Sequence, residues 1–274
     1  MKMFRPILLG LSFAVACGSM AKAQQAATPV PKILQITREW VKAGKAGTVH
    51  DKSESAFVKA MAEAKSPTHY TAMCSLSGKL RCLYFTGYAS YDAWQKDTEA
   101  VGKNKELSSQ LDAALVADGD LLDSVDQAVL TYEPDLSYHA KGDLSAARFM
   151  EITEFHVRLG HAKEFADLSK MYIAACEKSG SSAHWAIFRL DYGGPSGVYL
   201  LLSSDKSMAE IDSSDAEGKK IQAAMGEEGM KKFRDLETSA VESVSSQLFA
   251  INPHQSYVPD EWIKAAPDFW SPAQ

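Results

Sequence analysis

The chain carries one string of features twice, and a duplicated folding unit limits the possible architectures more tightly than local propensity does. Ile36-Thr37-Arg38-Glu39-Trp40-Val41-Lys42-Ala43-Gly44 returns 116 positions later as Ile152-Thr153-Glu154-Phe155-His156-Val157-Arg158-Leu159-Gly160. Thr68-His69-Tyr70-Thr71 returns 115 later as Ala183-His184-Trp185-Ala186. Tyr132-Glu133-Pro134-Asp135-Leu136-Ser137-Tyr138 returns 119 later as Ile251-Asn252-Pro253-His254-Gln255-Ser256-Tyr257. The order is kept and the offsets barely change. They define two repeats, 33–138 and 149–257, separated by a connector, 139–148, with Lys141-Gly142-Asp143 at its turn-like centre.

Each repeat shows the same succession of periodicities. A strand alternates from Ile33 to Lys42, and again from Phe149 to Arg158, and each gives way to glycine, Gly44 or Gly160. A helix with one apolar face follows, through Phe57 and Ala60 or through Phe165 and Cys176. Then come a hairpin (69–76 with 81–89; 184–190 with 198–203) and a long helical region from Tyr91 or Ser207, interrupted by glycines. A last strand, 128–132 or 247–251, ends at Pro134 or Pro253. This is β-α-β-β-α-β, twice. A single such unit leaves an apolar sheet face bare, and two in one chain cover it by packing sheet to sheet.

With Gly44 followed five residues on by Val49, and Gly160 by Phe165, the chain resembles the dimeric α+β barrel superfamily. That grouping includes the NIPSNAP-like and antibiotic-biosynthesis-monooxygenase-like families. The resemblance implies an α+β fold in which two ferredoxin-like βαββαβ repeats form an intrachain dimeric α+β barrel. It also implies a ligand cleft between sheet and helices in each repeat.

The ends of the chain carry separate signals. Lys2 and Arg5, an apolar run from Pro6 to Ala16, and Ala21-Lys22-Ala23 read as a signal peptide, 1–23, and hence a periplasmic or secreted protein. A lipobox-like Ala14-Val15-Ala16-Cys17-Gly18 is the minority alternative, a lipoprotein through Cys17. Residues 24–32 read as a linker containing Pro29 and Pro31. The tail, 258–274, combines prolines with Trp262, Phe269 and Trp270, and reads as an extended segment packed on its own domain. A lid or a homo-oligomer contact is the sharper alternative for it.

Removing 1–23 deletes Lys2, Arg5 and Lys22 but no acid, so the formal net charge goes from −6 to −9. An acidic chain without a basic run argues against nucleic acid. No later run is long enough for a transmembrane segment. Cys74 and Cys82 lie symmetrically about Gly78, so a hairpin turning at Ser77-Gly78-Lys79 sets them opposite each other as a candidate disulfide.

The common catalytic strings are missing: no His-Glu-x-x-His, Gly-x-Ser-x-Gly, phosphate loop or Cys-x-x-Cys. Candidates for ligand binding are therefore positional. By period two Leu34, Ile36, Arg38 and Trp40 share a face, as do Met150, Ile152, Glu154 and His156. His69 and His184 open the second strand of each repeat. Trp94 joins the set because Trp94, Asn104 and His69 match in residue type the Asn/Trp/His set of haem-degrading relatives, although order and spacing differ. Glu154, His156, His161 and His184 are of metal-ligand types, but nothing in their spacing makes them converge, so neither metal nor cofactor is expected. The leading expectation is a binding protein for a small apolar or aromatic molecule. The alternatives are a cofactor-free or haem-linked monooxygenase-like oxidoreductase and an envelope interaction protein.

Overall fold

The computed structural model describes residues 29–140 and 144–271; the expected signal peptide, Cys17 and Lys141-Gly142-Asp143 lie outside them. The first half runs β1 (Ile33–Val41), α1 (Thr48–Glu63), β2 (Tyr70–Ser75), β3 (Arg81–Tyr88), α2 (Tyr91–Lys103), α3 (Lys105–Gly119) and β4 (Leu122–Tyr132). The second runs β5 (Phe149–Val157), α4 (Ala162–Ser179), β6 (Ala186–Tyr192), β7 (Val198–Asp205), α5 (Met208–Ala240) and β8 (Val241–Ile251). Two short helices, α6 (Asp260–Ala265) and α7 (Pro267–Trp270), follow.

Both halves pair their strands alike. β1 lies antiparallel between β3 and β4, and β5 between β7 and β8. Two seams join the halves edge to edge: β2 with β8 (Met73 opposite Ile251) and β4 with β6 (Leu130 opposite Leu190). The result is one closed eight-stranded barrel, β1-β3-β2-β8-β5-β7-β6-β4, with no free sheet edge among these strands. Leu34, Ile36, Met73, Leu83, Leu130, Ile152, Phe188 and Phe249 fill its interior. The helices cover the outside. Beneath α4 and α5 the cover is thoroughly apolar, with Phe165, Leu168, Tyr199 and Ile221 all buried. Beneath α1 the apolar patch is small: Val41, Ala72, Cys82 and Tyr84.

Several boundaries differ from the sequence reading. β4 and β8 begin at Leu122 and Val241, six residues earlier than expected. After Leu122 and Val241 their first halves are exposed and mostly polar, without period-two alternation, and only the ladder to β1 and β5 holds them extended. The first long helical region breaks at Asn104, whose side chain accepts from the Leu107 amide and caps α3. In α5 the kink is at Gly226, where φ is 73°. Val49, matched to Phe165 in the sequence, is half exposed; His50 takes the buried place. Counting back from the left-handed residue that ends each helix, Lys65 (φ 50°) and Gly180 (φ 64°), pairs His50 with Phe165. The tail is helical, not extended. Trp270 is buried and its indole N–H donates to the Ser145 carbonyl at 2.8 Å, so the tail does pack on its own chain.

Cys74 and Cys82 are directly opposite in the β2–β3 ladder and form a disulfide. Cys176 is a buried free thiol, its pKa pushed up to about 11 by burial. Closing so short a loop stabilises the fold by about 2–3 kcal/mol in the chain-entropy account. Reduction under native conditions is therefore expected to lower the urea midpoint without changing the far-ultraviolet circular dichroism. An unchanged midpoint would show that the bridge adds nothing to stability.

Candidate functional site

The barrel interior is not completely filled. At the end where β1 and β5 begin, a cavity of about 290 Å³ lies between Leu34, Met73, Phe85, Met150, Phe188 and Leu202. The start of the described chain (Pro29, Val30, Pro31) and the tail (Val258, Pro259, Trp262) close over it. Residues 29–31, within the segment expected to be a linker, thus pack on the barrel mouth. Both halves contribute to this one cavity. The expected arrangement, a cleft between sheet and helices in each repeat, is not what the chain builds. In the second half that space is taken by Phe155, Phe165, Leu168 and Tyr199.

His69 and His184 both reach this wall, and so does Trp185. His69 stacks on Tyr257 with ring centroids 4.8 Å apart. Burial lowers its pKa, against the opposing charges of Glu261 and Asp260, so the imidazole is held neutral. His184 Nε2 lies 2.8 Å from the Ser204 carbonyl, which requires the N–H on that nitrogen. Beside it, burial raises the Asp205 carboxyl to about 6. An apolar chamber with two imidazoles on its rim can hold a small hydrocarbon-rich molecule and exchange a proton with a polar group on it.

The remaining sequence candidates lie elsewhere. Arg38 and Glu154 point into the barrel at its other end, about 13 Å further along the strands, around a second pocket of about 180 Å³. Arg38 Nε donates to Asp126 at 2.5 Å and its terminal nitrogen to the Gly193 carbonyl at 2.8 Å. His156 Nε2 is 2.6 Å from Glu154. Arg81, absent from the sequence candidates, joins this group and donates to Gln247. Trp40, opposite Arg81 in the ladder, is half-buried near that end. Trp94 is outside the barrel altogether, its ring 6.0 Å from Tyr88 beside Ile33 and Val129. With Asn104 serving as a helix cap and His69 in the cavity, the Asn/Trp/His set does not assemble. Metal-type side chains do converge, but on the outer face of the first half and from residues the sequence reading passed over: Glu39, His50, Glu54 and Asp118.

No protein-family model and no curated protein matches the chain. Solved structures do. A candidate monooxygenase from Fusobacterium nucleatum superimposes with a TM-score of 0.54 at 13% identity, covering 82% of this chain and 94% of that one. One from Lactobacillus acidophilus gives 0.51 at 8%, covering 81% and 94%. A mutant chlorite dismutase from Candidatus Nitrospira defluvii gives 0.51 at 8%, covering 86% and 96%. The chain shares the fold of these proteins, an antiparallel eight-stranded α+β barrel. At these identities the likeness extends to architecture and no further. Among the described residues no helix is long and apolar enough to cross a membrane.

Proposed function

We propose that this chain is a pair of sister βαββαβ modules closed into one barrel, and that the barrel takes up a small apolar or aromatic molecule in the chamber they share. The hydrocarbon-lined cavity of about 290 Å³ carries the reading, because close-packed protein interiors rarely keep such space without a use for it. The Cys74–Cys82 bridge supports placing the protein in an oxidising compartment, periplasmic or extracellular. The NIPSNAP-like affinity belongs to the same reading and rests on the sequence pattern alone.

A library of one- and two-ring aromatics at millimolar concentration is expected to contain members that raise the melting temperature. A ligand at a hundred times its Kd adds about 2.7 kcal/mol, roughly 5–10 °C for a chain of this size. Ala186→Trp, which fills the chamber from its wall, should abolish the shift. A library that moves nothing, or shifts that survive Ala186→Trp, would sink the proposal.

A second reading, cofactor-free monooxygenase-like oxidation, is favoured by the neutral His69 on the chamber wall. A neutral imidazole there can take the proton of a phenolic or enolisable substrate, leaving a carbanion-like partner for dioxygen. The monooxygenase descriptions of similar folds point the same way. Oxygen uptake that disappears in His69→Ala while ligand binding persists would support it; uptake unchanged in that variant would remove it.

A further inference from the structure

Outside the barrel, under the first turns of α1, three carboxylates and an imidazole are buried together. Glu39 projects from the outer face of β1, His50 and Glu54 stand one turn apart on α1, and Asp118 closes the group from the last turn of α3. They are 6%, 1%, 3% and 2% exposed. One ligand atom from each lies within 4.8 Å of every other. His50 Nε2 is 3.3 Å from Glu39 and 3.5 Å from Asp118, yet no contact meets hydrogen-bond geometry. Glu39 Oε2, His50 Nε2, Glu54 Oε1 and Asp118 Oδ1 are all buried without a hydrogen-bond partner. Four converging polar atoms left unsatisfied in one spot are costly unless something else occupies it.

The second half shows that the fold does not require polar groups there. By ladder register Glu39 matches Phe155, and Cys82 matches Tyr199. His50 matches Phe165. Phe155, Phe165 and Tyr199 pack ring on ring, with centroids 5.4 and 4.7 Å apart. The first half replaces this aromatic cluster with an acid and an imidazole, and brings in Glu54 and Asp118 beside them.

We propose that Glu39, His50, Glu54 and Asp118 form a binding site for one divalent first-row transition cation, enclosed between β1, α1 and α3. Three hard oxygen donors with one imidazole and no free thiolate suit Mn²⁺, Fe²⁺, Co²⁺ or Zn²⁺ rather than Cu⁺. Metal–ligand bonds of about 2.0–2.2 Å place opposed ligand atoms at most ~4.4 Å apart, so the group contracts by a few tenths of an ångström on loading. The surroundings can adapt. His50 Nδ1 is 3.2 Å from the Gln255 amide nitrogen, and the Tyr84 hydroxyl donates at 3.1 Å to that amide's oxygen. With the cation on Nε2 the imidazole proton sits on Nδ1, where the Cys82 sulfur 3.6 Å away can accept it, and the Gln255 amide nitrogen keeps its donation to Asp51 at 2.9 Å. The site is independent of the barrel chamber.

The test uses the full chain with its disulfide intact, stripped by chelator and titrated with Mn²⁺, Co²⁺ and Zn²⁺. One equivalent per chain is expected, with a visible Co²⁺ band of a water-excluded nitrogen/oxygen site and a melting temperature higher by several degrees. Glu54→Gln should lose the band and at least tenfold in affinity, whereas His156→Ala, at the Glu154–His156 contact elsewhere in the chain, should change neither. If Glu54→Gln does not fold, Mn²⁺-loaded wild type decides: histidine-nitrogen coupling in its pulsed paramagnetic resonance supports the site. No uptake by folded protein, uptake without the Co²⁺ band, missing nitrogen coupling, or uptake that Glu54→Gln leaves intact would each overturn it.

Discussion

His50→Phe, which installs the side chain found at the matching position of the second half, is expected to destabilise the metal-free protein severely. The ring itself is acceptable to the fold. What it removes is the only cationic partner within a group of three buried acids. Breaking such a group from one side costs about 3–5 kcal/mol, roughly 6–20 °C in melting temperature for a chain of this length. Replacing the whole set (Glu39→Phe, His50→Phe, Glu54→Ser and Asp118→Leu) should recover most of the loss, because hydrocarbon then occupies the site as it does beneath α4. A single variant as stable as wild type would show that the acids are not charged in the folded state.

The same groups fix the pH profile of chelator-treated protein. Burial alone would lower the His50 pKa, but contacts with Asp118 and Glu39 outweigh it and raise it to about 10. Burial, then the charges of Glu39 and Asp118, raise Glu54 to about 9. Both groups therefore bind a proton more tightly folded than unfolded. Glu54's contribution is complete below pH 4.5 and lost as pH rises toward 9, and His50's is complete below 6.5 and lost as pH passes 10. Melting temperature is expected to fall between pH 6 and 9, measured by calorimetry in chelator. The His50→Phe deficit should narrow at pH 5, where the orphaned acids take up protons while the wild-type histidine has nothing further to gain. A flat profile would contradict both shifts.

Trp270→Ala carries the second large effect. The indole is buried, donates to the Ser145 carbonyl, and packs against Trp262 at 5.5 Å and Phe269 at 4.9 Å. Arg148 lies 3.8 Å over the Phe269 ring and continues the stack. Truncating a buried tryptophan costs about 3–5 kcal/mol. Because Trp262 roofs the barrel chamber, the loss should also weaken retention of any apolar ligand. Trp270→Phe keeps one aromatic ring but loses the N–H and the rest of the indole, so it should cost less than the alanine variant, about 1–3 kcal/mol. Urea denaturation with an environment-sensitive apolar dye checks both, and a Trp270→Ala midpoint within error of wild type would show that the tail is not integral to the fold.

Much of the architecture was legible in residues. Ile36 and Ile152 sit in alternating strands that end near glycine, and the Cys74–Gly78–Cys82 symmetry marked a hairpin with its cysteines opposed. The polar starts of β4 and β8 were not legible, because only the neighbouring strand holds Ser124 or Ser243 extended. Nor does period two say which face of a strand turns inward. Leu34 and Arg38 share the interior face but serve opposite ends of it, and His69 and His184 meet at one chamber instead of two clefts. The buried acids escaped notice because Glu39 and Asp118 lie far apart in the chain and no spacing motif links them. A signal did exist. Setting the halves side by side places Glu39 on Phe155 and, once the extra loop residue before α1 is counted, His50 on Phe165.

Both seams of this barrel close within a single polypeptide, which changes what substitution can do to it. In a ring of two identical subunits every altered residue appears twice, so an ionisable group placed under one helix is forced under its twin. Here position 39 can be an acid while position 155 stays a benzene ring. Dilution cannot part the two halves, since their meeting is intramolecular. Asymmetry of chemistry on a nearly symmetric frame is what such tethering permits.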